Sequence, residues 1–144
     1  ANGRTVRSLT KMLTNFSNVK FYFIAPDVVK MGDDIKKELT EKGYEWEESD
    51  DLLGVASEVD VLYQTRIQRE RFEDKNQYEA CRGIYTVDQK VMDALPAKSV
   101  VMHPLPRLDE ITEEVDADPR AAYFRQAKNG LFIRMALLKV LLKV

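Results

Sequence analysis

Short apolar runs alternate with longer helical patterns along this chain, and that alternation limits its fold more than any other feature. The runs typical of strands cover residues 20–25, 44–47, 59–65, 84–87 and 99–102. Helical patterns precede and separate them at residues 5–16, 33–42, 51–57 and 88–95. Such alternation is typical of a parallel sheet covered by helices. We therefore predict an α/β fold, a three-layer domain with a mostly parallel sheet of about five strands and helices on both faces.

Cap residues mark the ends of some of these helices. Asp51 and Asp88 stand where N-cap residues are expected, because a carboxylate there accepts hydrogen bonds from the first N–H groups of a helix. Gly43 stands where a C-terminal glycine is expected, because glycine adopts a positive φ easily. Ile35 and Leu39, four residues apart, give the second helix an apolar face.

Composition restricts the class of protein. A chain of 144 residues suits one domain, so we treat residues 1–144 as a single unit. Charged residues make up 32% but the net charge is only -2, and no apolar run is long enough to cross a bilayer. We therefore expect no nucleic-acid partner and no membrane partner. The single cysteine, Cys81, excludes an internal disulfide and fits a reducing compartment.

Residues 131–144 differ from the rest because they are apolar on more than one side of a helix, with Arg134, Lys139 and Lys143 as the interruptions. A surface helix usually has one apolar stripe. Two interpretations remain open: a central helix of this domain, or a helix whose cover is not part of this chain.

Polar clusters follow three of the predicted strands, at residues 25–27, 63–71 and 103–107. Ligands of open parallel sheets bind beyond the carboxyl ends of the strands. Arg66 and Gln68 lie two residues apart, so in an extended segment their side chains share one face. A guanidinium and an amide on one face suit a carboxylate, and a solvated charged loop is the alternative.

The last cluster holds the only histidine, His103, followed by Pro104, Leu105 and Pro106. Proline lacks an N–H, fixes φ and favours an extended residue before it. These residues predict a buried strand that leads into a stiff loop whose carbonyls face outward and can accept hydrogen bonds from a ligand. His103 is either a candidate acid or base or a structural residue.

Other binding chemistry has less support. Arg4 opens the first helix, where unpaired N–H groups and the helix dipole favour an anion, although an exposed arginine is the simpler interpretation. No second histidine or nearby cysteine supports a metal site, and no glycine-rich nucleotide loop occurs, so we expect no metal and no cofactor. Cys81 has no base beside it in the sequence and is predicted to be a packed thiol.

Taken together, these stretches closely resemble the C-terminal, aspartate-binding half of aspartate carbamoyltransferases. The segments that match the motifs of that family are residues 3–9, 21–26, 65–71, 103–111 and 118–138, the fourth containing His-Pro-Leu-Pro-Arg and Asp-Glu-Ile. Their order and spacing make the resemblance specific, and it covers essentially the whole chain. It implies a Rossmann-like version of the predicted α/β fold.

The resemblance also implies an activity, the transfer of a carbamoyl group from carbamoyl phosphate to the α-amine of L-aspartate in pyrimidine biosynthesis. Arg4, Arg66 and Gln68 are then expected to hold aspartate. The carbonyls of residues 104–106, the candidate catalytic segment, are expected to accept N–H groups of the carbamoyl moiety and the amine. No cofactor is implied.

The other half of that family, the carbamoyl-phosphate domain, has no counterpart in residues 1–144. The helix over 131–144 is then expected to pack on the missing domain, and Arg71 and Arg134 to make interdomain or loop-closing contacts. The isolated chain is expected to be inactive. The resemblance further implies homotrimers and a cytoplasmic location, or a plastid if the protein is of the plant type with an upstream transit peptide.

Three alternatives stay open. Ornithine carbamoyltransferases share the architecture, but they carry His-Cys-Leu-Pro where this chain has Pro104 after His103. A non-catalytic binding or assembly module is a second alternative. A nucleotide-binding domain is the third, and it would retain a cofactor on purification.

Overall fold

A computed structural model describes residues 2–67, 72 and 74–143 of the chain. Within it the chain divides into two compact units, Ala1–Val55 and Ala56–Val144, and each is described by itself.

The first unit alternates helices and strands in the predicted order. Its elements are helix α1 (Arg4–Leu13), strand β1 (Lys20–Ile24), a 3₁₀ turn (Asp27–Val29), helix α2 (Asp33–Glu41) and strand β2 (Glu45–Ser49). Helix α3 (Leu52–Ala56) lies where this unit ends. Strands β1 and β2 pair in parallel.

The core of the first unit forms between β1 and α2. Phe21 and Phe23 alternate along β1 and therefore point to one face of the strand. They are buried together with Met31, Ile35 and Leu39, of which the last two lie on one face of α2. The predicted apolar face of this helix is confirmed.

The second unit holds the remaining elements: strand β3 (Val61–Tyr63), helices α4 (Lys75–Cys81) and α5 (Gln89–Ala94), strand β4 (Val100–Met102), a 3₁₀ segment (Glu113–Ala117) and helix α6 (Tyr123–Leu142). Strands β3 and β4 pair in parallel, and Val101 of β4 also bridges Ala121. Val87, Met92, Val101, Ile111 and Val115 are buried in this unit.

The predicted caps occupy their positions. The Asp88 carboxylate accepts a hydrogen bond from the Val91 N–H at the start of α5, and the Asp51 carboxylate accepts one from the Gly54 N–H. Gly43 follows α2 with φ of 76°. The N–H groups of Gly43 and Tyr44 reach back to the carbonyls of Thr40 and Leu39, which satisfies the end of the helix.

Two glycine substitutions should have opposite effects on stability. Gly43→Ala should lower the free energy of unfolding by about 1 kcal/mol, because alanine disfavours the positive φ. Nothing lies within 4 Å of an added Cβ there, so the backbone alone causes the loss. Gly130→Ala, inside α6, should raise it by about 0.5–1 kcal/mol. Urea unfolding of both variants measures the two shifts, and shifts of the same sign would contradict this account.

The sheet differs from the prediction. Parallel strands are confirmed, but the described residues form two sheets of two strands each rather than one sheet of about five. The run 84–87 is not a strand, because only Val87 pairs, through a single bridge to Ile111. Gly83, with φ of 74°, turns the chain just before this run.

The C-terminal helix begins earlier than predicted and is not covered. Helix α6 starts at Tyr123, and large apolar side chains from Leu131 to Leu142 are between 51% and 76% exposed. The interpretation as a central helix of this domain is therefore wrong for the described residues. Among the described helices, none combines the length and apolarity that a membrane crossing requires.

Candidate functional site

The candidate site lies where β3 and β4 end. Tyr63 is the register partner of Met102, and the Gln64 N–H donates to the Met102 carbonyl at 2.9 Å, which extends the pairing by one residue. Because the strands are parallel, the segments 64–67 and 103–107 leave the sheet at the same edge. This is the edge at which α/β proteins place their ligands.

Hydrogen bonds of His103 fix the loop 103–107, and this histidine is only 2% exposed. The His103 Nδ1 accepts a hydrogen bond from the Leu105 N–H at 2.8 Å. The Nε2 atom lies 2.7 Å from the Glu110 carboxylate. The His103 backbone N–H donates to the Gln126 side chain of α6 at 3.0 Å. The loop is thus tied both to its own distal end and to α6.

These contacts fix the proton on the imidazole. Because Nδ1 accepts from Leu105, the neutral ring carries its hydrogen on Nε2 and donates it to Glu110. Burial alone would raise the pKa of Glu110, but hydrogen bonds from His103, from its own N–H and from the Leu108 N–H outweigh burial and lower that pKa. Glu110 is therefore an anchored, ionised acceptor.

The carbonyls of the loop are open. No residue in the described part of the chain donates a hydrogen bond to the carbonyls of Pro104, Leu105 or Pro106. The side chains of Pro104 and Pro106 are exposed and Leu105 is partly buried. Leu105 has φ of 51°, a conformation unusual for a leucine. That these carbonyls accept hydrogen bonds from a ligand stays a prediction.

A second set of contacts fixes the end of the loop, at Arg107. The Arg107 guanidinium contacts both carboxylate oxygens of Asp116 and donates to the Tyr123 hydroxyl at 3.2 Å. The Arg107 hydrogen bonds lower the pKa of Asp116. Burial, and then the carboxylate of Asp116, raise the pKa of Tyr123 to about 12. Arg107 is thus held by the protein and is not left to bind a ligand.

Among the residues that the structure describes, Arg66 is a cation left open at this edge. Its side chain is exposed and has no hydrogen-bond or ion-pair partner among the described residues. Its neighbour Gln64 is committed to structure, because its amide donates to the Tyr85 carbonyl at 2.8 Å. Gln68 and Arg71, which sequence analysis also singled out, lie outside the described residues.

The other predicted residues lie elsewhere in the chain. Arg4 is the first residue of α1, in the first unit, and its N-cap Gly3 supplies no side-chain cap. The Arg4 side chain is exposed. Arg134 is exposed on α6 of the second unit. Of the predicted residues that are described, Arg66 and residues 104–106 are the ones that neighbouring strands bring to one edge.

Sequence reasoning missed the groups that anchor the loop. Glu110, Asp116, Tyr123 and Gln126 hold the segment 103–107, but the contacts join residues 7 to 23 positions apart. The only local signal was the run of acidic residues after Arg107. In the described part of the chain, no group of three or more His, Cys, Asp or Glu side chains is placed to hold a metal ion.

Comparison with known proteins defines the class. Residues 1–141 match the family described as "Aspartate/ornithine carbamoyltransferase, Asp/Orn binding domain", and the chain belongs to that family. Aspartate carbamoyltransferase, chloroplastic, of Oryza sativa subsp. japonica is 68% identical over 143 residues, which are 99% of this chain and 39% of the rice protein.

Solved structures agree with this assignment. The catalytic subunit of M. jannaschii aspartate transcarbamoylase superposes with a TM-score of 0.89 at 42% identity, over 98% of this chain and 45% of that one. Trypanosoma cruzi aspartate transcarbamoylase in complex with carbamoyl phosphate and aspartate gives 0.84 at 42% identity, over 94% and 46%. The chain therefore has the α/β, Rossmann-like fold, and it spans less than half of each of these proteins.

Proposed function

We propose that this chain is the aspartate-binding half of an aspartate carbamoyltransferase. It binds L-aspartate for carbamoyl transfer from carbamoyl phosphate, which yields N-carbamoyl-L-aspartate and phosphate in de novo pyrimidine biosynthesis. One observation carries the proposal: Arg66, with an open guanidinium, and residues 104–106, with open carbonyls, follow neighbouring strands at one edge of the β3–β4 sheet.

The chemistry of aspartate suits this set of groups. Its two carboxylates need cations, and a guanidinium binds a carboxylate through two parallel hydrogen bonds. Arg66 supplies one cation. The family resemblance implies that Arg4 supplies the other and that Gln68 orients the bound molecule. The carbonyls of residues 104–106 accept hydrogen bonds from the amine, which must be neutral to attack, and from the carbamoyl N–H groups. Orientation of two reactants can supply about 7–11 kcal/mol of a barrier, so this half needs no nucleophilic residue of its own.

Carbamoyl phosphate would be bound by a second, N-terminal domain. The rice relative is much longer than this chain, which covers only 39% of it. The exposed apolar residues of α6 between Leu131 and Leu142 need cover, and the second domain is the partner that would supply it. Arg71 and Arg134 would make interdomain or loop-closing contacts. A homotrimer is the assembly that the family resemblance implies.

The location proposed is the plastid. The rice relative is named a chloroplastic protein and is 68% identical to this chain, which favours the plant-type alternative over the cytoplasmic one.

The chain alone should bind aspartate without turning it over. Purified chain incubated with carbamoyl phosphate and L-aspartate should form no N-carbamoyl-L-aspartate above the uncatalysed rate, because the groups that bind carbamoyl phosphate belong to the other domain. Addition of the separately purified carbamoyl-phosphate domain of the rice relative should restore product formation. A colorimetric ureido assay measures both, and appreciable turnover by the chain alone would contradict the proposed division of labour.

A charged substitution on α6 tests the proposed contact with the second domain in the same assay. Leu138→Asp should reduce the restored rate, because it places a carboxylate on the face that the second domain covers, and it should leave aspartate binding by the chain unchanged. Lys139→Asp, at a position already polar, is the comparator and should have the smaller effect.

A further inference from the structure

A buried side chain controls the backbone that carries the open carbonyls. Leu105 lies at φ of 51°. Its N–H belongs to the same planar peptide unit as the Pro104 carbonyl, so whatever holds that N–H also fixes the direction of that carbonyl. That N–H is held by the His103 Nδ1 at 2.8 Å. A change in the histidine ring that alters this hydrogen bond therefore acts directly on the Pro104–Leu105 peptide unit, at the centre of residues 104–106.

The histidine ring is itself held from the other side. Its Nε2 lies 2.7 Å from the Glu110 carboxylate, which also accepts the Leu108 N–H at 3.1 Å. Glu110 is only 8% exposed, so water competes little for these bonds. The chain of contacts runs from Leu108 through Glu110 and His103 to Leu105, which closes the loop on itself.

We propose that His103 is a positioning residue which, braced by Glu110, holds the Leu105 N–H and thereby aims the carbonyls of residues 104–106 at the bound substrate. The proposal rests on the proposed function for the identity of the substrate, but the bracing itself does not depend on it. With both ring nitrogens engaged and the residue 2% exposed, His103 has no free atom with which to act as an acid or base toward a ligand.

Nitrogen NMR of the ¹⁵N-labelled chain tests the two contacts of the His103 ring, here called the brace, directly and without any substrate. The ring should show an unprotonated Nδ1 and a protonated Nε2, and a ¹⁵N–¹⁵N coupling should cross the hydrogen bond from Leu105 to His103. A protonated Nδ1, or a missing coupling in a spectrum where the ring signals are resolved, would overturn the proposal.

Two substitutions separate the two contacts of the His103 ring, the hydrogen bond from Leu105 and the contact with Glu110. In His103→Asn the shorter side-chain oxygen can still accept from the N–H two residues later, as in an Asx turn. In His103→Gln the amide reaches toward Glu110 but leaves the Leu105 N–H without its acceptor. The Asn variant should therefore keep the wild-type affinity for L-aspartate to within about threefold, and the Gln variant should lose roughly tenfold or more.

The two readouts distinguish failure of the brace from failure of the proposed function. Equal loss of affinity in both His103 variants, with both folded by circular dichroism, would overturn the positioning role. If the wild-type chain binds no L-aspartate in calorimetry, the proposed function fails, and the NMR result alone then decides whether His103 braces the loop.

Discussion

Arg66→Ala should weaken the binding of L-aspartate to this chain by about 10- to 150-fold, the equivalent of one charge-assisted, two-point hydrogen bond of about 1.5–3 kcal/mol. Arg66 is exposed and unpartnered among the described residues, so its removal leaves no charge unpaired and should leave stability unchanged. Isothermal titration calorimetry with L-aspartate measures the loss.

Two further variants make the result specific. Arg66→Lys keeps the charge but loses the planar fork, so it should recover only a minor part of the affinity. Arg125→Ala removes another exposed arginine, in α6, and should leave the affinity unchanged. Wild-type affinity in Arg66→Ala would remove Arg66 from the site.

Glu110→Ala should lower the free energy of unfolding by about 2–5 kcal/mol, the largest stability effect expected in the second unit. The substitution removes a buried acceptor from two donors, the His103 ring and the Leu108 N–H, and unsatisfied buried donors are costly. Glu113→Ala, three residues later and exposed, is the matched control and should shift stability by less than about 0.5 kcal/mol. Urea denaturation followed by circular dichroism measures both.

The same glutamate should make stability depend on pH in the acid range. Its pKa in the folded chain is lowered from an ordinary value of 4.5, so the folded state favours the carboxylate. The resulting stabilisation is fully present above pH 4.5 and is lost as pH falls through the folded pKa. Unfolding of Glu110→Gln should therefore change less steeply with pH in that range than unfolding of the wild type. Identical profiles would show that folding does not lower the pKa of Glu110.

Local sequence signals predicted the parts of the fold that depend on local geometry. The apolar run 20–25 predicted β1, the spacing of Ile35 and Leu39 predicted α2, and Gly43 ends α2 as expected. The start of α6 was missed because its N-cap, Ala122, forms no side-chain cap and so leaves no recognisable signal.

In the candidate site, too, local sequence signals predicted some residues, while others depend on tertiary packing. The proline loop and Arg66 were identified because both follow predicted strands, and parallel strands carry their successors to one edge. The brace of His103 could not be predicted, since Glu110 and Gln126 approach it only through tertiary packing. The segment 84–87 was predicted as a strand because it is a short apolar run, but only Val87 pairs, through one bridge to Ile111.

Backbone NMR during titration with L-aspartate tests the central claim, that the edge beyond β3 and β4 is an aspartate site. In a ¹⁵N-labelled chain the largest shifts should fall on the N–H groups of residues 64–67 and of His103, Leu105 and Arg107, and L-ornithine at the same concentration should not reproduce them. Shifts centred elsewhere, or an equal response to L-ornithine, would contradict the account.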